Sequence, residues 1–198
     1  QSDGLHDIPA LMRAIENEAK SVPSIKINQQ ALRFQAKLTF DDQITATQAA
    51  NIIIAPHNDE LVNLFFARRG TLLFEVLPFG FPDEHYRKLA TAVGVKYAGV
   101  TARPDPGRFA TCLEHANAPG TQARRESDQL EARFRAAAAN FTFAAAAVLS
   151  KSLSLHEHRH ADTHVADMAL CALSQELRVD TVDFAKQVVR EAKHFCTG

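Results

Sequence analysis

The chain has 198 residues, 46% hydrophobic and 23% charged, with a formal net charge of −1. These are ordinary globular values. They offer no basic excess for nucleic acid, and no apolar run approaches the roughly 18 residues of a membrane span.

Leu5 to Ala19 reads as an amphipathic helix, because Leu11, Ile15 and Ala19 fall at helical spacing. Pro23 breaks it. Ser24 to Asn28 alternates with period two and is expected to be a short strand. Gln29 to Lys37 is ambiguous. Thr39 resembles an N-cap with Asp41 and Asp42 in the first helical turn, and that helix should run to about Ala50. Asn51 to Ala55 is a strand by its Ile triplet, buried on both faces if the sheet is parallel, and Pro56 ends it. Asp59 to Ala67 is a short helix, with Gly70 placed for its C-terminal end. Thr71 to Leu77 is a second buried strand, and Pro78, Gly80 and Pro82 punctuate the loop after it. Asp83 to Val93 is a helix followed by Gly94, and Val95 to Val100 is a third strand.

Short connections between these elements imply βα units and an open parallel sheet. Arg103 to about Gly120 reads as a loop or linker. Thr121 to Ser152 holds two AAAA runs and should be helical. Asp180 looks like an N-cap, with Asp183 at the third position of a terminal helix striped by Val182, Ala185, Val189 and Ala192. The fold class expected is α/β: a Rossmann-like open parallel sheet flanked by helices, with a helical C-terminal extension. The expected divisions are a core at 1–102, a loop and helical insertion at 103–178, and a terminal helix at 179–198 packing back on the core.

The first residue is Gln1 and no signal peptide is visible, so the chain is expected to begin inside a longer protein or after processing. Cys112, Cys171 and Cys196 show no metal-ligand spacing; one disulfide with one free thiol, or three thiols, are equally consistent. Asn140-Phe141-Thr142 is a glycosylation sequon, relevant only in a lumenal protein.

In an open α/β sheet, ligands bind outside the carboxyl ends of the strands. Two loops here hold that place: Pro56 to Glu60, and the loop after Glu75. A helix N-terminus there offers unpaired N–H groups to a phosphate. His57 adds a donor to a diphosphate or protonates a departing one. Glu75, at its strand end, can accept both hydroxyls of a ribose. Taken alone, each residue has a plainer role: His57 as a loop-ordering donor, Glu75 as a solvated strand end, Asn63 as a surface or capping residue and Tyr86 as a half-buried aromatic.

The stretch Asn51 to Thr101 resembles the signature of the family-61 glycosyltransferases, a His-Gly-Ala-Gly-Leu-x-Asn loop followed by an apolar strand ending in Glu. His57, Leu61, Asn63, Phe66 and Gly70 match the loop and helix; Glu75 and Pro78 match Glu-x-x-Pro; Tyr86, Gly94 and Tyr97 match the closing segment. Met12 to Glu18, Thr39 to Ile44 and Val179 to Ala192 are similar to flanking family segments. The likeness spans about two thirds of the chain, with Ala102 to Arg178 mostly outside it.

The resemblance implies the C-terminal, donor-binding half of a GT-B fold, with acceptor groups and the base on a missing N-terminal domain. It implies transfer of N-acetylglucosamine, xylose or arabinose from a UDP-sugar to a protein or polysaccharide acceptor, in the Golgi or endoplasmic reticulum lumen. His57 is the implied catalytic residue. His57, Asn58, Leu61, Asn63, Glu75 and Arg68 are the implied donor contacts. No cofactor is required, no metal ligand is assigned, and a divalent cation stays open.

The chain departs from the family at Asn58-Asp59-Glu60, where the signature has Gly-Ala-Gly. The acids suit a helix dipole by roughly 0.3–1 kcal/mol each. A carboxylate about 5 Å from a phosphate repels it by roughly 3 kcal/mol at an effective dielectric near 20. Repulsion wins unless the acids turn away, a divalent cation bridges them, or Arg68 and Arg69 compensate. The alternative function is therefore a catalytically degenerate interaction module. A third reading is an unrelated Rossmann-type or metal-binding protein: His156, His160 and His164 share a face if helical, with Glu157 or Asp162 nearby, though a solvated polar stretch is the favoured account of that segment.

Overall fold

A computed structural model describes residues 5–31, 38–79, 81, 84–105, 107–108, 111, 132, 136 and 177–197. The chain divides into two compact units, one of Leu5–Val76, Glu84–Val100 and Val179–Gly198, the other of Gln1–Gly4, Leu77–Asp83 and Thr101–Arg178.

The larger unit begins with α1 (Ile8–Ala19). It starts three residues later than its hydrophobic pattern suggests, because Asp7 takes a left-handed conformation (φ 49°) and caps it, its Oδ1 accepting from the Ala10 N–H at 3.0 Å. The expected strand at Ser24 to Asn28 does not form. Its period two persists as alternating exposure, but no strand pairs with it among the described residues. Gln29 instead donates its side-chain amide to the Met12 carbonyl.

Helix α2 (Phe40–Ala49) has the expected cap as a full capping box: the Thr39 hydroxyl accepts from the Asp42 N–H, and Asp42 accepts from the Thr39 N–H. The Thr39 hydroxyl and then its amide hold the Asp42 carboxyl below the ordinary carboxylate value. This contribution is complete above that ordinary value and is lost as pH falls through the lowered one.

Among the described residues three strands, β1 (Ile52–Pro56), β2 (Leu72–Leu77) and β3 (Lys96–Thr101), make a small open parallel sheet in the order β1-β2-β3. Register pairs Ile52 with Leu72 and Ala55 with Glu75. The expectation that β1 is buried on both faces is corrected: all five of its residues are half-buried, since among the described residues β1 is the edge of the sheet. Pro56 is the last residue of β1 rather than the break after it; an edge strand tolerates its missing N–H. The central strand β2 is the buried one.

Between β1 and β2 lies a 3-10 helix, Asp59–Phe66, where an α-helix was expected. Its exposure follows a threefold period, as i and i+3 eclipse in this geometry. Leu61 and Leu64 enter the core, and Ala67 follows on the same side; Glu60, Asn63 and Phe66 form a second face; Asp59, Val62 and Phe65 are exposed. Gly70 (φ 89°) belongs to the turn into β2, donating to the Gly94 carbonyl at 2.7 Å, rather than to the helix end. Helix α3 (His85–Val93) ends at Gly94, whose φ of 79° favours glycine. The core on this face joins Leu61, Leu64, Leu73, Tyr86, Ala90 and Val95.

The terminal helix α4 (Thr181–Thr197) packs against α1. Asp180 is its cap, Oδ1 accepting from the Val182 and Asp183 N–H groups at 3.1 Å each. Asp180→Ala is expected to cost about 1 kcal/mol in urea denaturation. The buried stripe is Phe184, Ala185, Val188, Val189 and Ala192; Val182, expected in it, is 55% exposed.

In the other unit, the Arg103 N–H donates to the Arg178 carbonyl at 2.6 Å. Residues 107, 108 and 111 are helical rather than loop, and Asp105 accepts from the Arg108 N–H at 3.2 Å. Residues 132 and 136 are helical. The rest of 121–152, the sequon, the His156 to His164 group and the cysteine side chains lie outside the described residues. Among the described residues no helix is long and apolar enough to cross a membrane.

Candidate active site

The candidate site is built by one residue from each strand segment. His57 follows β1, and its N–H extends the ladder by donating to the Val76 carbonyl at 2.9 Å. Glu75 is the fourth residue of β2, and Tyr97 is the second of β3. Strand alternation puts Glu75 on the same face as Leu73, the face covered by the 3-10 helix and α3.

There the Glu75 carboxylate is fully buried, 0% exposed. Its Oε1 lies 2.5 Å from His57 Nδ1, and its Oε2 accepts the Tyr97 hydroxyl at 2.7 Å. An ionised carboxylate only accepts, and the donor role of the His57 ring nitrogen depends on its tautomer. The His57 ring stands edge-on to Tyr86 with centroids 5.3 Å apart, and Tyr86 stands likewise to His85 at 5.3 Å. Taking a carboxylate out of water costs several kcal/mol by order of magnitude. Donors at both oxygens offset that cost here.

The structure relocates several residues expected in a donor site. Glu75 is neither a strand end nor solvated: β2 runs two residues further, and both carboxylate oxygens are bonded inside the protein. In this arrangement neither oxygen is presented to a ribose. Leu61 is a core residue, 3% exposed, so its side chain faces the sheet rather than a ligand. Asn63 is buried and donates to Gln43 Oε1 at 3.1 Å, tying the 3-10 helix to α2. Asn58 caps the 3-10 helix, Oδ1 accepting from the Glu60 N–H at 3.1 Å, so this helix start already has a side-chain acceptor.

Arg68 is corrected most clearly. Its guanidinium donates to the Ala49 carbonyl at 3.1 Å, just before β1 begins. His57 lies past the other end of that strand, about 16 Å away at roughly 3.3 Å per residue. Arg68 therefore does not compensate acids beside His57. Asp59 is exposed and Glu60 half-buried at the start of the 3-10 helix.

Two partners were not assigned from sequence. Tyr97 and Gln43 stood among the residues carrying the family likeness, but the likeness named no contact for either. A signal was present for Tyr97: it and Glu75 are polar-tipped residues inside adjacent apolar strands, and a buried polar group needs a partner. Among the described residues no group of three or more His, Cys, Asp or Glu could hold a metal ion. Comparison with protein-family models, curated proteins and solved structures finds no match.

Proposed function

We propose that this chain is the nucleotide-sugar-binding half of a glycosyltransferase. It moves a sugar of the N-acetylglucosamine, xylose or arabinose type from a UDP-sugar to a protein or polysaccharide acceptor, in the Golgi or endoplasmic reticulum lumen. The observation that carries this reading is His57 at the carboxyl end of a parallel strand, its ring held by Glu75 beside the start of a helix. Open α/β sheets bind ligands at that end.

In the transfer, an acceptor oxygen attacks the anomeric carbon and the bond to the diphosphate breaks. The acceptor proton goes to a base on the other half of the enzyme. His57 stabilises the departing diphosphate as a donor, or protonates it. The Asp59 side chain is exposed, so solvent and salt screen its charge.

Calorimetric titration of the full-length protein with UDP is expected to show binding without added metal, weakened about tenfold or more by His57→Ala, or about 1.4 kcal/mol. Binding that requires Mn²⁺ would place a bridging cation at Asp59 and Glu60. No binding at millimolar UDP would overturn the proposal. A second reading, an interaction module without catalysis, is favoured by one observation: Asn58 caps the helix start where the signature has glycine. Sugar transfer by the full-length protein would exclude it.

A further inference from the structure

We propose that Tyr97 and Glu75 form a hydrogen-bonded relay that fixes His57 in its Nδ1–H form, so that His57 exchanges protons at Nε2. Both are positioning residues, acting through His57. Three strand segments contribute one member each, and the two bonds, 2.5 Å and 2.7 Å, occupy different oxygens of one carboxylate.

The surroundings favour a working role over a structural one. Glu75 is the sole charged residue of β2, and the core cluster on its face includes Leu61, Leu73, Tyr86 and Val95 with Ile53 and Ala55 packed against it. Apolar residues in place of the whole His57–Glu75–Tyr97 set would serve that core as well or better, since replacing a complete buried ionic group is frequently neutral or stabilising. What an apolar residue cannot do is choose a tautomer. The bond made by one ring nitrogen decides which nitrogen carries the variable proton. Tyr97 matters because its hydroxyl anchors Oε2, leaving Oε1 aimed at Nδ1. The Tyr86 ring edge-on to His57 further restricts its plane.

The relay itself is a property of the resting protein; only its use in catalysis rests on the glycosyltransferase reading. The test begins with ¹⁵N-resolved imidazole NMR of the full chain, comparing wild type, Tyr97→Phe and Glu75→Gln. Wild type should show His57 as the Nδ1–H tautomer with a strongly downfield Nδ1 proton. Tyr97→Phe should keep its dispersed amide spectrum yet move that proton upfield, and Glu75→Gln should move it further. An Nε2–H tautomer in wild type, or a proton unmoved in a folded Tyr97→Phe, overturns the relay.

In sugar transfer, Tyr97→Phe should lower kcat by about tenfold or more with KM for the UDP-sugar unchanged. A rise in KM alone would overturn the positioning role in favour of donor binding by the Tyr97 hydroxyl. The NMR signature in a protein that binds no UDP would uphold the relay and overturn the glycosyltransferase reading instead.

Discussion

Glu75→Ala is expected to lower stability by about 3–5 kcal/mol, read as a shift in the urea midpoint at unchanged slope. The substitution removes the carboxylate that bonds both the His57 ring and the Tyr97 hydroxyl, and leaves a space at a fully buried position. Each hydrogen bond to a charged group contributes about 1.5–3 kcal/mol, and β2 is the strand with least access to rescuing water. Glu75→Gln keeps the volume and one acceptor oxygen, and the Tyr97 hydroxyl can rotate to accept from the new amide. Its loss should be smaller, about 1–2 kcal/mol. Equal losses for the two variants would mean that volume, rather than hydrogen bonding, sets the effect.

The second large effect is on the opposite face of the same strand. Phe74 is fully buried and packs edge-on against Phe184 of α4, with ring centroids 5.9 Å apart. Phe74→Ala should cost about 3–5 kcal/mol. A double-mutant cycle with Phe184→Ala should give a coupling of about 0.5–1.5 kcal/mol beyond area burial. A coupling near zero would mean that the terminal helix does not depend on this ring contact for its place on the sheet.

Sequence patterns made much of the α/β frame legible because the relevant signals are local. The Ile52-Ile53-Ile54 triplet, the Thr39 capping box, the Asp180 cap and Gly94 each act within a few residues, and each stands where its chemistry demands. Non-local facts were less legible. Nothing in Ile52 to Pro56 tells that β1 lies at an edge, since strand order is decided by the crossovers. Ser24 to Asn28 has a strand's alternation but no partner strand among the described residues, and alternation alone does not make a sheet.

The site divides the same way. His57 at the carboxyl end of a strand follows from the order of elements. The burial of Glu75 depends on Tyr97, twenty-two residues later, arriving on the neighbouring strand. Arg68 is eleven residues from His57 in sequence but lies beyond the opposite end of β1, because the intervening helix carries the chain back along the sheet.

The eclipsed geometry of Asp59–Phe66 also limits how the segment can change length. With three residues per turn, losing one residue ahead of Leu61 turns everything after it by about a third of a revolution. The row now occupied by Leu61 and Leu64 would then pass to its neighbour, and the core would receive either the Val62–Phe65 row or the Asn63–Phe66 row. Amino-acid replacements on the exposed row are cheap by comparison, because they leave the phase intact. Related chains should therefore vary freely in composition at Asp59, Val62 and Phe65 while holding the spacing from His57 to Leu64 constant.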